Sequence, residues 1–433
     1  MMIELNEFNA DYLLEMSKHL KLSNLQRVFS YHHSTTTTAD LVEHQGLDPW
    51  VQWVGIHCGA PTSVHGIRRL GNTRVQTLPQ IWHVIAAHGY TWGTWGLMNA
   101  PFGNPRGCCF FMPDPWSFDE VAWPTNLNHL LALPRYVAKN YLELDLKRAF
   151  TAALRTALFF APPGYWPVLR QFGKQCLHAA VGTGINLHTL TTLLDYLGVL
   201  CFAHMRSKQR PNLSIIFLNH FAHLQHQFWH VGGALHPEMK LGLVLSDAML
   251  GLLLANKGNN EAVLLMNGLK QRNVAGQGNF VYRQRNPQGA IEAMGIRRGR
   301  VEQCMTHDAN ILFNDSKDAD KAYDILDQCR LSDGHKVFYV ERQAPLRVFY
   351  QLLVEHRVAP GITIAAGNCS QPFDAIFQLV CERTGAHVPE GDIYANGIDL
   401  PATIQNHKVF GFVSDYFTNS CTDTTISANN RSR

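Results

Sequence analysis

The stretch that decides the fold is Leu213-Ser214-Ile215-Ile216-Phe217-Leu218, followed directly by Asn219-His220-Phe221-Ala222-His223-Leu224-Gln225-His226. The first six residues are mostly apolar and include β-branched side chains, which predicts a short buried strand of a parallel sheet. Ligands of such sheets bind just beyond the carboxyl ends of the strands. The histidines that follow therefore lie where a functional site is expected, and neutral imidazole is a common metal ligand.

A helix after this strand would place three histidines on one face. His223, His226 and His230 are spaced by three and four residues, which is the spacing of one helical face. The alternative is a polar helix that happens to carry several histidines, since the chain has 22 of them. Of the neighbouring histidines, we expect His226 to pack on the helix and His220 to point away from His223.

Length and composition describe an ordinary globular protein. The 433 residues can bury a large core and allow two or three domains, and 46% of them are hydrophobic. The net charge of +3 without a long basic block argues against a nucleic-acid surface. The ten cysteines show no CxxC motif and no paired spacing, which is typical of reduced thiols rather than of a disulfide framework.

Nothing in the sequence predicts export or a membrane span. The first seven residues lack both a basic segment and a long apolar segment, so we expect no signal peptide. The apolar run 241–255 is too short for a span and contains Ser246 and Asp247. We therefore expect a cytoplasmic protein, and its oligomeric state stays open.

Strand and helix patterns alternate along much of the chain. This alternation predicts an α/β fold with a mostly parallel central sheet flanked by helices. Long helical periodicity predicts a helical insertion that could cap the sheet, and a charged segment predicts a second, smaller insertion. The predicted organisation is an α/β core at 1–125, 211–279 and 335–417, a helical insertion at 126–210, a second insertion at 280–334, and a disordered polar tail at 418–433.

Four segments of the sequence lie next to the ends of predicted strands. They are Ile3-Glu4-Leu5-Asn6-Glu7-Phe8, Gly59-Ala60-Pro61-Thr62-Ser63-Val64-His65-Gly66-Ile67, Asn219-His220-Phe221-Ala222-His223, and Gly385-Ala386-His387-Val388-Pro389-Glu390-Gly391. In this order they resemble the alkaline phosphatase superfamily, specifically its type I phosphodiesterase/nucleotide pyrophosphatase-like branch. The family counterparts are a first-strand metal aspartate and the motifs TGxxPxxHGI, DxxGH and GTHxPEG. Trp50-Val51-Gln52-Trp53 also resembles members found with surface-polysaccharide genes.

The resemblance implies a known chemistry. In that superfamily two divalent ions clamp a phosphoryl or sulfuryl group and activate a Ser or Thr nucleophile. This chain departs from the pattern at four places. Glu7 replaces the first-strand aspartate, and Asn219 replaces the aspartate of DxxGH. Gln52 lies in the nucleophile region, and Met266-Asn267-Gly268 replaces a family Asp-His pair. No Ser or Thr lies between Pro49 and Ala60. These departures predict that one of the two metal sites is lost.

The remaining family positions predict one metal site. We expect a divalent ion, zinc or manganese, held by His223 and His387 with Asn219 and Glu7. A structural histidine or a solvated carboxylate is the alternative interpretation of these residues. The predicted catalytic residues are Glu7, Gln52 and His223, and the predicted substrate-binding residues are Asn219, Lys270 and Arg272.

Three functions fit these residues. The first is a divergent hydrolase or transferase acting on a phosphate, phosphodiester or sulfate ester, such as a glycan or nucleotide-linked precursor. The second is a catalytically inactive member that uses the same pocket to bind a glycan or a partner protein. The third is an unrelated α/β enzyme whose motifs are coincidental.

Overall fold

The structure, a computed structural model, describes residues 1–40, 47–73, 77–140, 145–184, 186–229, 235–304, 307–366 and 369–418. The chain forms two compact units, Met1–Asn273 with Ala386–Arg433, and Val274–Gly385. His230 and positions 419–433 of the predicted tail lie outside the described residues. None of the nine cysteines in the described ranges is in a disulfide. No helix of these ranges is long and apolar enough to cross a membrane.

Besides the helical positions 409–418, fourteen α-helices occur in the described residues. They are α1 (Ala10–His19), α2 (Ser23–Phe29), α3 (Pro49–Cys58), α4 (Thr62–His65), α5 (Ile81–Ala87), α6 (Leu127–Asn140), α7 (Leu146–Phe159), α8 (Trp166–Gly182), α9 (Leu187–Gln209), α10 (His220–Phe228), α11 (Pro237–Ala255), α12 (Pro287–Ala293), α13 (Ser316–Gln328) and α14 (Phe373–Ile376).

The same ranges contain nineteen strands. They are β1 (Met2–Leu5), β2 (His32–Thr37), β3 (Trp92–Leu97), β4 (Cys108–Pro113), β5 (Leu213–Leu218), β6 (Val263–Met266), β7 (Lys270–Asn273), β8 (Phe280–Gln284), β9 (Arg300–Gln303), β10 (Asp308–Leu312), β11 (Arg330–Leu331), β12 (Phe338–Ala344), β13 (Arg347–Leu352), β14 (Thr363–Ala366), β15 (Cys369–Pro372), β16 (Phe377–Glu382), β17 (Gly385–Val388), β18 (Glu390–Asn396) and β19 (Thr403–Gln405).

An eight-stranded sheet forms the centre of the first unit. Its strand order is β19-β2-β18-β6-β1-β5-β3-β4. Five of its seven neighbouring pairs are parallel, and only β18 runs antiparallel to its two neighbours. The prediction of a mostly parallel α/β sheet is therefore confirmed.

The central strands are buried on both faces, as the apolar run at 213–218 predicts. All six residues of β5 and all four residues of β1 are buried. Successive side chains of a strand point to opposite faces. Accordingly, Ile216 and Leu218 join one hydrophobic cluster, whereas Ile215 and Phe217 join another. Helices cover both clusters and hold β1 and β5 at the middle of the unit.

The helical segment α6–α9 shares a core with this sheet. Leu130 and Tyr196 from these helices belong to the same hydrophobic cluster as Ile216 of β5. The described residues of 126–210 are mostly helical, and most of their buried apolar side chains share this cluster with the sheet.

The region of Gln52 is a helix in the structure. Pro49 occupies the first turn of α3, where its missing N–H costs nothing, and Gly59 ends the helix in the left-handed region at φ 71°. We had placed Gln52 in the region of a nucleophile that follows a strand in the resembled family. Here its side chain projects from the first turn of a buried helix.

The second unit has its own hydrophobic cluster and its own sheets. Strands β9, β10, β12 and β13 form a four-stranded sheet, and β11, β14 and β15 form a three-stranded one. The unit spans Val274–Gly385, whereas we expected a shorter insertion at 280–334. The difference arises because β12 and β14, which we assigned to the core, pair within this unit. Hydrophobic periodicity identifies a strand but does not show which other strands it pairs with.

Candidate metal centre

The site lies at the carboxyl ends of β1 and β5. Asn6 and Glu7 follow β1, and Asn219 follows β5, which is the parallel neighbour of β1. Parallel neighbours end at the same edge of a sheet, so these polar residues meet there. The amide Nδ2 of Asn6 donates to Oδ1 of Asn219 at 2.8 Å and to Oε1 of Glu7 at 2.9 Å. Glu7 and Asn219, both predicted as site residues, are thus joined through the side chain of Asn6.

Glu7 adopts an unusual backbone conformation. Its φ of 57° lies in the left-handed region, which few residues other than glycine adopt. Backbone hydrogen bonds hold it there: its N–H donates to the Asn267 carbonyl at 3.1 Å, and its carbonyl accepts from the Gln271 N–H at 3.2 Å. The Gln225 amide also donates to that carbonyl at 3.1 Å. Strain of this kind is found disproportionately at functional sites.

Two imidazoles and an amide converge on one oxygen of Glu7. The Nε2 atoms of His226 and His387 each lie 3.0 Å from Oε2 of Glu7. The side chain of Gln271 donates to the same oxygen at 2.6 Å. Glu7 is only 3% exposed, so this carboxylate depends on these groups rather than on water.

The carboxyl of Glu7 is held as an anion. Burial by itself would raise its pKa, because a charge is poorly solvated in the interior. The charge of His387 and the hydrogen bonds from His226 and His387 outweigh burial and hold the pKa of Glu7 well below its ordinary value. A buried carboxylate that stays ionised is a suitable ligand for a cation.

The ring of His387 is fixed from its other side. Its Nδ1 lies 3.0 Å from the carbonyl oxygen of Leu47. Since a carbonyl can only accept, Nδ1 carries the proton and Nε2 is the atom that faces Glu7. Metal-binding histidines are commonly oriented in this way by a backbone carbonyl.

The three converging atoms fit one divalent ion. The ligand atoms of Glu7, His226 and His387 all lie within 4.8 Å of one another. Zinc binds nitrogen and oxygen at about 2.0–2.2 Å, so neighbouring ligand atoms of a tetrahedral site lie about 3.3 Å apart. The two N···O separations of 3.0 Å are close to this value. A set of two histidines and one carboxylate also leaves a coordination position open for substrate or water.

His223 occupies a different place from the one we predicted. Its Nε2 lies 3.2 Å from Nδ2 of Asn219, and since that amide nitrogen donates, Nε2 of His223 is the acceptor. Burial lowers the pKa of His223, which favours the neutral ring. His223 is therefore a neighbour of the three converging ligand atoms and not one of them, and the role of Asn219 as a ligand stays a prediction.

His226 takes the place that we assigned to His223. It lies three residues further along α10, on the turn of the helix that passes over Glu7. We had expected His226 to pack on the helix, and this expectation was wrong. The spacing His223–His226 was the available signal, but it could not show which turn of the helix faces β1.

Gln52 belongs to a second group of polar side chains. Its Nε2 donates to Oδ2 of Asp40 at 2.8 Å, and its Oε1 accepts from Asn406 at 2.9 Å. Thr62 donates to the same Asp40 oxygen at 2.7 Å. The described contacts do not link Gln52 to Glu7 directly, and its catalytic role stays a prediction.

The predicted substrate-binding cations lie on β7. Gln271 is buried and points to Glu7, so alternation along the strand sends Lys270 and Arg272 to its opposite face. Arg272 is exposed. The two cations therefore do not converge with Gln271 on Glu7, and their binding role stays a prediction.

Asn267, which lies at the position of the family Asp-His pair, forms hydrogen bonds with backbone groups. Its Nδ2 donates to the Phe8 carbonyl at 2.8 Å, and its Oδ1 accepts from the Asp392 N–H at 2.8 Å. Both ends of this buried amide are used in joining loops at the strand ends. The amide thus stabilises the loop that carries Glu7.

Asp195 is a positioning residue that the sequence did not indicate. Its Oδ2 accepts from the backbone N–H groups of Asn219 and His220 at 2.6 and 2.7 Å, and lies 2.9 Å from Nδ1 of His220. A carboxylate at the first N–H groups of a helix stabilises that end. Asp195 therefore sets the start of α10, and it lies on α9, far away in sequence.

Comparison with known proteins finds relatives in structure and not in sequence. No protein-family model and no curated protein sequence matches the chain. Murine ectonucleotide pyrophosphatase/phosphodiesterase 5, in an inactive form with AMP, is 11% identical with a TM-score of 0.48, covering 96% of this chain and 94% of that chain. Phosphonoacetate hydrolase from Sinorhizobium meliloti 1021, with phosphonoacetate, is 11% identical with a TM-score of 0.46, covering 96% and 95%. The human ectonucleotide pyrophosphatase/phosphodiesterase 5 is 10% identical with a TM-score of 0.48, covering 96% and 94%.

All three structures are only 10–11% identical to this chain, with TM-scores below 0.5. At such low identity the likeness concerns the fold, and it transfers neither substrate nor activity. In the present structure, the mostly parallel sheet has helices on both faces, and Glu7 and His387 from the first and fourth motifs meet at one sheet edge. The prediction of a mostly parallel α/β sheet flanked by helices is confirmed, and the resemblance of the four motifs to the alkaline phosphatase superfamily stays a prediction.

Proposed function

We propose that the chain is a metal-dependent hydrolase or transferase for a phosphate, phosphodiester or sulfate ester. The observation that supports this most strongly is the convergence of His226 and His387 on one oxygen of the buried Glu7 carboxylate, each at 3.0 Å. A divalent ion bound there would polarise a phosphoryl or sulfuryl oxygen and lower the pKa of water. Zinc and manganese both accept this set of nitrogen and oxygen ligands.

The surrounding residues would keep the centre in one geometry. Asn6 and Gln271 each donate to one oxygen of Glu7, so the carboxylate cannot rotate without losing a hydrogen bond. The Leu47 carbonyl orients His387. Preorganised ligands of this kind lose little freedom when a substrate binds. Their role in the proposed reaction is to hold the centre open on one side.

For the hydrolase form of this function, water is the attacking group that we propose, and in a transferase the acceptor hydroxyl would take its place. Helix α3 offers no Ser or Thr from Pro49 to Ala60, so the side-chain nucleophile implied by the family resemblance is missing from that segment. Direct attack by water on a phosphoryl or sulfuryl centre needs no such side chain. A glycan or nucleotide-linked precursor as substrate, and a cytoplasmic location, remain predictions.

A second candidate is a binding protein without catalysis. Gln52, Asn219 and Asn267 are neutral amides at positions where the family resemblance implies a nucleophile and anionic ligands. All three are engaged in hydrogen bonds within the chain. Neutral amides at these positions favour binding over catalysis, because they supply neither a nucleophile nor an anionic metal ligand.

Turnover of model esters tests the first proposal. Aryl phosphate, aryl phosphodiester and aryl sulfate would be assayed with added zinc or manganese. We expect His226→Ala and His387→Ala to lose at least about 100-fold in kcat/KM, because each removes a metal ligand. His88→Ala is the matched control, since His88 is exposed. Equal turnover by His226→Ala and His88→Ala would contradict the proposal, and metal binding without turnover of any ester would favour the binding protein.

A further inference from the structure

Helices α7, α8 and α9 expose an unusual number of apolar side chains. In the described residues, 21 large hydrophobic side chains are exposed, and eleven of them lie between positions 146 and 194. Single exposed apolar residues are normal on a protein surface, but a concentration of them marks an interaction site. The eleven are Leu146, Phe150, Leu154, Leu158, Trp166, Leu169, Leu177, Val181, Leu187, Leu190 and Leu194.

These side chains form a row on each helix. On α7 they recur every four residues from Leu146 to Leu158, and Phe150 is 72% exposed. On α8 the spacing from Trp166 to Val181 also keeps them within one face of about 120°. The buried residues of α7, Ala152 and Phe159, pack toward the protein instead. Each helix is therefore amphipathic, with an apolar face turned toward solvent.

The same stretch carries charge of one sign only. No Asp or Glu occurs from 146 to 194, whereas five basic residues do. All five are exposed. Two carboxylates border the stretch in sequence, Asp145 and Asp195. Asp145 is exposed and lies 3.7 Å from Arg148, and Glu238 accepts from the Asn186 side chain at 2.8 Å. The basic residues are Lys147, Arg148, Arg155, Arg170 and Lys174.

The positive charge of this stretch distinguishes between two kinds of binding partner for the apolar rows. A second copy of this surface, docked face to face, would place five cations opposite five cations, and such an arrangement is repulsive. An anionic lipid surface offers the complementary charge and an apolar layer beneath it. Helices with Trp, Phe and Leu on one face and Lys and Arg beside it bind in this manner, lying in the plane of the interface.

We propose that α7, α8 and the first two turns of α9 bind the surface of an anionic membrane. The apolar rows enter the boundary between headgroups and acyl chains, and the five cations contact anionic headgroups. The binding is peripheral and reversible. This proposal does not depend on the metal centre or on any hydrolytic activity.

Vesicle flotation of the full chain tests the proposal. The vesicles contain phosphatidylcholine alone or phosphatidylcholine with phosphatidylserine. We expect binding to the anionic vesicles, weaker binding to the neutral ones, and a loss of binding in high salt as charges are screened. Each cation near an anionic surface contributes about fivefold in affinity, so Lys147→Gln, Arg148→Gln and Arg155→Gln together should lose about 100-fold.

A second variant tests the apolar row. Phe150→Asp with Leu154→Asp should lose at least about tenfold in vesicle affinity, because two apolar contacts become charges of the wrong sign. These side chains are 72% and 54% exposed, so an unchanged melting temperature should verify the fold. Leu379→Asp, at a side chain that is 47% exposed outside this stretch, is the matched control.

Three results would overturn the proposal. They are no flotation with anionic vesicles, equal flotation of the double variant and the Leu379→Asp control, or a dimer in sedimentation that the double variant dissociates. The last result would mean that a second copy of the chain covers this surface.

Discussion

Replacing Glu7 by Gln should destabilise the metal-free protein by about 3 kcal/mol. Gln has the shape of Glu but lacks its charge. Oε2 of Glu7 faces His226, His387 and Gln271, at 3.0, 3.0 and 2.6 Å. A hydrogen bond to a charged group is worth about 1 kcal/mol more than one to a neutral group, so weakening three such bonds costs about 3 kcal/mol.

Two smaller effects of this substitution oppose each other. The new NH₂ group would meet the donating Nδ2 of Asn6, which leaves one polar pair mismatched at a further cost of about 1 kcal/mol. Removing a buried charge recovers part of its desolvation penalty. We expect these two to cancel within about 1 kcal/mol, so the loss of charged hydrogen bonds sets the result.

Urea unfolding after treatment with a chelator measures this change. Glu15→Gln is the matched control, because Glu15 is exposed on α1 and its replacement should change stability by less than about 0.5 kcal/mol. A loss for Glu7→Gln below about 1 kcal/mol, or one equal to that of the control, would refute the view that Glu7 is a buried anion held by three donors.

Three further substitutions test other parts of the fold. Burial raises the pKa of Asp114 from 3.8 to about 7, so the folded chain binds the carboxyl proton more tightly than the unfolded chain does. The free energy of unfolding should therefore fall by on the order of 4 kcal/mol as pH rises from 4 to 7. Asp114→Asn should remove that fall in urea titrations at several pH values, and an unchanged pH profile would contradict it. Gly391→Ala should lower stability by about 2 kcal/mol in thermal unfolding, because its Cβ would lie 2.4 Å from Oγ1 of Thr36; a neutral result would show that Thr36 can move. Asp195→Ala should cost about 2 kcal/mol in urea unfolding by removing the acceptor at the start of α10, and full stability would show that His220 finds another acceptor.

The fold could be predicted from sequence where the pattern was strong and local. The apolar run of β5 and the alternation of strands and helices sufficed to predict a mostly parallel α/β sheet. Gln52 marks the opposite case, because the family resemblance placed it near a strand while Pro49 and Gly59 provide the start and end of a helix. Those two residues were visible in the sequence and carried the better signal.

The site was predicted in part. Glu7 and His387 were named from their motifs, and both belong to the cluster of ligand atoms. The choice of His223 over His226 followed the motif spacing, but the structure turns His226 toward Glu7. The rotation of α10 depends on Asp195, which lies in another helix. No local pattern can reveal a contact of that range.

The metal content of protein purified without chelator decides whether Glu7, His226 and His387 form a metal centre. It would be determined by mass spectrometry for the wild type, His226→Ala and His223→Ala. We expect about one zinc or manganese per chain in the wild type and in His223→Ala, and loss of the metal in His226→Ala, because Nε2 of His226 is one of the three converging ligand atoms. Metal that persists in His226→Ala but is lost in His223→Ala, or no metal in any of the three proteins, would contradict it.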